Sequence, residues 1–405
     1  MFRGIQLTGL LALSLLVVGS VASAAERRIV VFQPDTSPEQ RVALTKEAGG
    51  IVVRELPLIN AVVIEHPTKV TTTENKLRAL SEVKRVDPDP KIYWLEMADE
   101  PGVDFQLPPT DEITGGIKKY QPQWELPAPD ALAGQDTPWG ISRVKAPAAW
   151  ATSRGQGVKV VVIDTGIEVT HPDLAGIIKG GWNAISPGKP FDDDHGHGTH
   201  CSGTIAAKDD DQGVVGVAPQ IDLYGVKVLD SEGSGTVDTV IAGMLWAVEN
   251  KMEVASMSLG ANAGNPSLAD AVEVMRKSGV ILIAAAGNSG SSVGYPAAYP
   301  GAIAVSASDK YDSLATFSSR GPEVAVIAPG VNVRSTYLGG LYETMSGTSM
   351  ATPHVAGLTA LYVATHKGAT PAQARAGLTA ASTKLANVPN IGQGAGLPAA
   401  DELVR

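Results

Sequence analysis

From Gln135 onward, short and almost uninterrupted apolar runs return at intervals, and this recurrence limits the possible folds more than any other feature. Residues 158–163 (VKVVVI) form the first run, and 222–228, 254–257, 280–285 and 302–306 follow it. Helical stretches at 237–249, 267–277 and 349–364 lie between or after them. Strands that are apolar on both sides need cover on both sides, which predicts a parallel sheet between two layers of helices. The fold class expected for residues 134–405 is therefore α/β, a three-layer, doubly wound and mostly parallel sheet. In such sheets the reacting groups gather beyond the carboxyl ends of the strands.

Three segments place reactive side chains where that architecture wants them. Asp164 ends the first apolar run and a Thr-Gly turn follows it. His197 stands in the histidine-rich stretch HGHGTHCSGT at 195–204. Ser349 sits where a glycine-bearing turn, SGTS at 346–349, enters a helix of small residues. Serine becomes a nucleophile only with a base beside it, and a buried carboxylate fixes and charges that base. The chain order Asp, His, Ser is one of the known orders for this chemistry. His195 and His200 also make an H-x-H and H-x-x-H cluster, but no Cys or Glu completes a zinc set at a known spacing. The stretch GSSVG at 290–294 satisfies G-x-S-x-G, yet Tyr295-Pro296 follows at once, where that motif needs a helix.

With these motifs together, the chain resembles the subtilisin-like serine peptidases, the subtilase family, over residues 134–405. The resemblance implies catalytic roles for Asp164, His197 and Ser349, with Asn288 as a side-chain donor of the oxyanion hole beside the Ser349 N–H. It implies that Gly233, Ser234 and Gly235 on one side, and Ser258, Leu259 and Gly260 on the other, pair with substrate backbone. Ala285, Ala286, Gly287 and Gly294 would line the P1 pocket, which suits a bulky apolar or aromatic residue, and Ser289 occupies its rim. Val237, Val240 and Leu259 would line the P4 pocket. The family also implies a cis bond at Tyr295-Pro296. Ca2+ would be held by Gln135, Asp173 and Asp210 through side chains and by Lys208, Gln212 and Val214 through carbonyls. A weaker cation site near Ala297, Tyr299 and Ala302 is implied as well.

Residues 1–24 read as an export signal: Arg3 near the start, an apolar stretch from Leu7 to Val21, and Ala22-Ser23-Ala24 as the cleavage site. Secretion follows as the expected localisation. The single cysteine, Cys201, excludes an internal disulfide, so stability outside the cell must come from packing or bound ions. It stands four residues after His197, which on a helix puts the thiol on the same face as the imidazole. A formal net charge of −10 disfavours nucleic acid and anionic membranes as partners.

Residues 25–96 read as a small α+β module in the order βαββαβ, a ferredoxin-like pattern. Residues 97–133 read as a solvated linker or extended arm: six prolines and eight acidic residues fall between Glu96 and Asp130, and periodicity is absent. The resemblance makes the module an I9-type propeptide, an intramolecular chaperone and inhibitor whose end occupies the cleft. Cleavage near Leu95 or Met97, or a second cut near Ala133, would then release a monomeric enzyme acting on protein and peptide substrates.

Overall fold

The structure, a computed structural model, describes residues 26–66, 70–95 and 134–405. The export signal, the linker, Met97 and Ala133 lie outside the described residues.

The amino-terminal module contains β1 (Arg27–Phe32), β2 (Ile51–Leu56), β3 (Ala61–Glu65) and β4 (Val83–Pro88), with helices at Pro38–Ala48 and Val70–Arg78. The first helix starts on a capping box. Ser37 accepts from the Gln40 N–H while the Gln40 side chain accepts from the Ser37 N–H. It stops at Gly49, whose φ of 95° is open to glycine at little cost. The sheet is antiparallel in the order β2-β3-β1-β4, the ferredoxin-like order. Val30, Phe32, Val62 and Ile64 face the module's own core, whereas Ile29, Val31, Ala61 and Val63 face the larger body. A short strand that the sequence did not signal, β5 (Lys91–Tyr93), follows β4.

The larger body is built on β6 (Lys159–Asp164), β7 (Ile178–Asn183), β8 (Asp222–Lys227), β10 (Val254–Met257), β11 (Ile281–Ala285), β12 (Ala302–Ser308) and β13 (Val324–Pro329). They form one sheet in the order β13-β12-β11-β10-β6-β8-β7, and every neighbouring pair is parallel. Between β8 and β10 runs β9 (Ser234–Thr236), which pairs antiparallel with β5 of the module. A hairpin of β14 (Val333–Tyr337) and β15 (Leu341–Met345) completes the strands that bear on the site.

The strand period of two divides the core into two layers. Val160 and Val162 of β6 point into the layer shared with the helices His197–Ala206 and Thr348–Thr365. Val161 and Ile163 point into the other, shared with Val237–Glu249 and Pro266–Lys277. The same split holds in β11, with Ile281 and Ile283 on one face and Leu282 and Ala284 on the other. The sheet is therefore the middle of three layers. The chain order turns around at β6, which lies between β8 and β10, so a crevice opens beyond the carboxyl ends of these strands.

Candidate active site

Asp164 is the last residue of β6 and is fully buried. Its Oδ1 accepts from the Thr165 N–H at 2.7 Å and lies 2.7 Å from His197 Nδ1. His197 opens its helix behind Gly196, whose φ of 101° excludes most other residues. A Cβ on Gly196 would stand 2.3 Å from the Tyr337 ring, and one on Gly198 would stand 2.1 Å from the Gly166 carbonyl oxygen. The small residues around His197 thus let helix, strand turn and hairpin close on one another.

Asp193 fixes the start of this helix. One carboxylate oxygen accepts from the His195 and Gly196 N–H groups at 2.9 and 3.0 Å. The other accepts from the Thr199 N–H and hydroxyl at 2.9 and 2.7 Å. Burial, the largest single influence on His197, pulls its pKa down. The charge of Asp164 and the hydrogen bond to it, with Asp193 behind them, outweigh burial and raise the pKa above the ordinary histidine value.

The neighbouring histidines have other surroundings. His195 is half-buried and meets the His197 ring edge-on at 6.3 Å. His200 is buried, with Nε2 at 3.0 Å from the Val333 carbonyl and 3.2 Å from that of Glu343. Burial pushes its pKa down to about 3, so it is a neutral strut between the helix and the β14–β15 hairpin. Cys201 is buried, and its Sγ lies within a 4.8 Å group with ligand atoms of Asp164 and His197. Burial first, and the Asp164 charge second, push the thiol pKa up.

Ser349 lies in the first turn of the helix Thr348–Thr365, where N–H groups lack intrahelical acceptors. Its hydroxyl donates to the Ser258 carbonyl at 3.0 Å, so in this conformer the proton is not directed at His197. Pro353 sits four residues on and has no N–H to give, which leaves the Ser349 carbonyl without its helical donor. The Ser258 hydroxyl supplies a bond instead at 2.8 Å, joined by Cys201 Sγ at 3.5 Å. The serine is thereby tied to the end of β10 and to the histidine helix at once.

Asn288 follows β11. Its Oδ1 accepts from both the N–H and the hydroxyl of Thr348 at 2.9 Å each. That double bond pattern fixes which end of the amide is oxygen. Asn288 and Ser349 line one cleft with Ala285, Gly287, Gly294, Leu259 and Gly260. Ala286 is not on this wall. It is fully buried behind it, with its N–H on the Val305 carbonyl and its own carbonyl accepting from Gly294. Val237 borders an adjoining crevice with Ile92, Trp94 and Leu268, while Val240 is buried in the core beneath. The Tyr295-Pro296 bond is cis, as expected.

The chain itself enters the cleft. Lys91, Ile92 and Tyr93 pair with Thr236, Gly235 and Ser234. The Trp94 N–H donates to the Gly233 carbonyl at 3.0 Å, and the Trp94 carbonyl accepts from the Gly260 N–H at 3.0 Å. The indole N–H donates to the Gly235 carbonyl at 2.9 Å. Trp94 borders the cleft holding Ser349, whereas the Leu95 side chain leans on Gly233. Both are buried.

At the expected cation position, Gln135 Nε2 points at the carbonyls of Lys208, Gln212 and Val214, at 2.6, 3.1 and 3.4 Å. Asp173 accepts from the Val214 N–H at 2.8 Å and from the Tyr342 hydroxyl at 3.1 Å. Asp210 is instead paired with the Lys208 ammonium at 2.8 Å. Near the second position, the Tyr299 carbonyl accepts from the Ala302 N–H.

Asp193, Thr348 and Trp94 were not singled out from the sequence. An acid shortly before a helix is a recognisable start signal and could have revealed Asp193. Nothing local marks the other two, because their partners lie 60 and 141 residues away.

Comparison with known proteins gives the same picture. The profile of the subtilase family matches residues 155–396. Subtilisin E of Bacillus subtilis is 48% identical over 267 residues, covering 64% of this chain and 70% of that protein. M-protease of Shouchella clausii is 48% identical over 263 residues, 64% of this chain and 68% of its own length. An alkaline protease of Alkalihalobacillus alcalophilus is 44% identical over 307 residues, 71% of this chain and 79% of that one. From its sheet order, its site and these relatives, the chain belongs to the subtilase family and is a serine endopeptidase of the subtilisin type.

Proposed function

We propose that Asp164, His197 and Ser349 form the catalytic triad of an endopeptidase that cleaves proteins through an acyl-enzyme. The observation that carries this reading is the buried 2.7 Å contact between Asp164 Oδ1 and His197 Nδ1, with Ser349 at the adjoining helix start. The Ser349 hydroxyl turns from the Ser258 carbonyl to His197 Nε2, which takes its proton as Ser349 Oγ bonds the scissile carbonyl carbon. Asn288 Nδ2 and the Ser349 N–H stabilise the oxyanion. His197 then protonates the leaving amine, and water attacks the acyl group by the reverse sequence.

Substrate lies as an added strand between β9 and Gly260, in the place that residues 91–94 take here. A bulky apolar or aromatic side chain enters the pocket of Ala285, Gly287 and Gly294, which presents no charge. The amino-terminal module, seated on the cleft through Trp94, acts as inhibitor and folding template, and the enzyme is made as an exported precursor that processes itself and works as a monomer.

Three carbonyls converging on one point suit a cation, and Gln135 would bring its amide oxygen there after a flip. Gln135, Asp173 and the carbonyls of Lys208, Gln212 and Val214 would hold Ca2+, with Asp210 joining them on release from Lys208. Held there, Ca2+ would join the segment at Gln135 to the loop after the histidine helix.

The test is Ser349→Ala. The full chain should accumulate uncleaved and leave casein intact, and Asp164→Asn should lower kcat by about 10⁴. A Ser349→Ala chain that still matured and digested casein would end this reading.

A further inference from the structure

The edge contact between β5 and β9 contains one charged pair. Lys91 Nζ lies 2.7 Å from Asp230 Oδ2, on the loop that leads into β9. The carboxylate is held ready for it. Asp230 Oδ1 accepts from the Glu232 and Ser234 N–H groups, both at 3.0 Å, and the Asp230 N–H itself donates to the Ser234 carbonyl. The Lys91 ammonium and the backbone bonds from Ser234 and Glu232 outweigh burial and lower the Asp230 pKa, and Glu232 adds a second negative charge to the same loop. The carboxylate thus keeps its place through the backbone of its own loop, whether or not Lys91 is present.

Lys91 stands three residues before Trp94, whose backbone bonds on both sides set the register of the strand. Any extended peptide in that register places one side chain over Asp230. We infer that Asp230 forms a cation-selecting subsite, so that the enzyme favours substrates with Lys or Arg three residues before the residue that pairs with Gly260. This rests on the reading that substrate replaces residues 91–94 along β9. The pair is partly open to water, with Lys91 57% and Asp230 28% exposed in their side chains, so the preference is moderate and salt-sensitive.

The test uses activated enzyme and quenched peptides with the sequence of residues 88–99, carrying Lys, Gln or Glu in place of Lys91. At low salt, kcat/KM should favour Lys over Gln by about 2- to 5-fold and Lys over Glu by roughly 10-fold. The Lys-to-Glu ratio should collapse toward about 1–2 in Asp230→Asn and at about 0.5 M salt, with Glu232 accounting for the remainder. A ratio near one in the wild-type enzyme, or one that Asp230→Asn leaves unchanged, overturns the inference. A fourth peptide, N-methylated at the Trp94 amide, separates this from failure of the strand reading. It should be cleaved slowly whatever residue replaces Lys91. If methylation has no effect, substrate does not bind along β9. If methylation slows cleavage while the charge ratio stays at one, only the role of Asp230 fails.

Discussion

Cys201 illustrates how much one buried side chain can touch. Its thiol reaches the Ser349 carbonyl at 3.5 Å and lies within the 4.8 Å group containing the Asp164 carboxylate and the His197 ring. Because burial holds the thiol protonated, it should react slowly with alkylating agents, which need the thiolate. A mercurial that does attach adds a bulky group where there is no room. The expected outcome is slow, complete inhibition by an organomercurial and retention of most activity by Cys201→Ala, which should also be resistant. Full activity after mass-verified labelling of Cys201 would count against this geometry. His197 gives a second residue-level expectation. Its pKa is raised, so its neutral form, the one that accepts a proton, is lost at a higher pH than for a free histidine. The acid limb of kcat/KM should therefore lie above the ordinary histidine value before substrate binds.

At the scale of elements, the histidine helix depends on how closely its neighbours approach. Gly196→Ala would demand a left-handed backbone at alanine and drive a methyl group into the Tyr337 ring. Strain and overpacking of this kind each cost about 1–3 kcal/mol. The melting temperature and kcat should both fall, measured by calorimetry and peptide hydrolysis. The elements differ in how legible they were. Helix Val237–Glu249 and strand Val254–Met257 match their sequence expectation at both ends, because apolar pattern and flanking polar residues agree there. Strand β7 (IKGGWN) passed unseen: it is a half-buried edge with two glycines, which shows no period. Strand β13 (VAVIAP) is as apolar as its neighbours and belongs with them. The positions of Asp164, His197 and Ser349 were readable because each closes or opens a recognisable element, and that of Asn288 because it stands just past a buried strand. The bond of the Ser349 hydroxyl to the Ser258 carbonyl, the burial of Ala286 behind the pocket wall and the reach of Trp94 into the cleft depend on distant contacts that no local pattern carries.

Across the whole molecule, the module docks by charge as well as by strand pairing. Asp238 is fully buried and receives Arg27 at 2.8 Å and Arg54 at 3.1 Å from the module, while its N–H donates to Asp89 at 2.8 Å. Burial, and then repulsion from Asp238, push the Asp89 pKa up to about 6. A carboxyl whose pKa rises on folding contributes most below its unfolded value, near 4, and loses that contribution as pH climbs through its folded value. In a Ser349→Ala chain, wild-type Asp89 should thus depress the melting temperature as pH rises from about 4 to 7 relative to Asp89→Asn. Equal pH profiles for the two chains would refute the linkage. The Gln135 site gives another global test. Chelation of calcium should lower the melting temperature of the mature enzyme, and Ca2+ rather than Mg2+ should restore it, since a set of several carbonyl and carboxylate oxygens suits the larger ion.

The pairing of β5 with β9 has a further consequence for solubility. Without residues 91–94, β9 presents unpaired backbone donors and acceptors at Ser234–Thr236, next to the apolar crevice of Val237 and Leu268. Bare strand edges of this kind template intermolecular β-association. During synthesis the module is made first, so its strand is at hand as the edge forms, and the edge stays covered while the chain folds. A chain begun at residue 134 would meet that edge uncapped, and should lose more of its yield to aggregates than the Ser349→Ala precursor does.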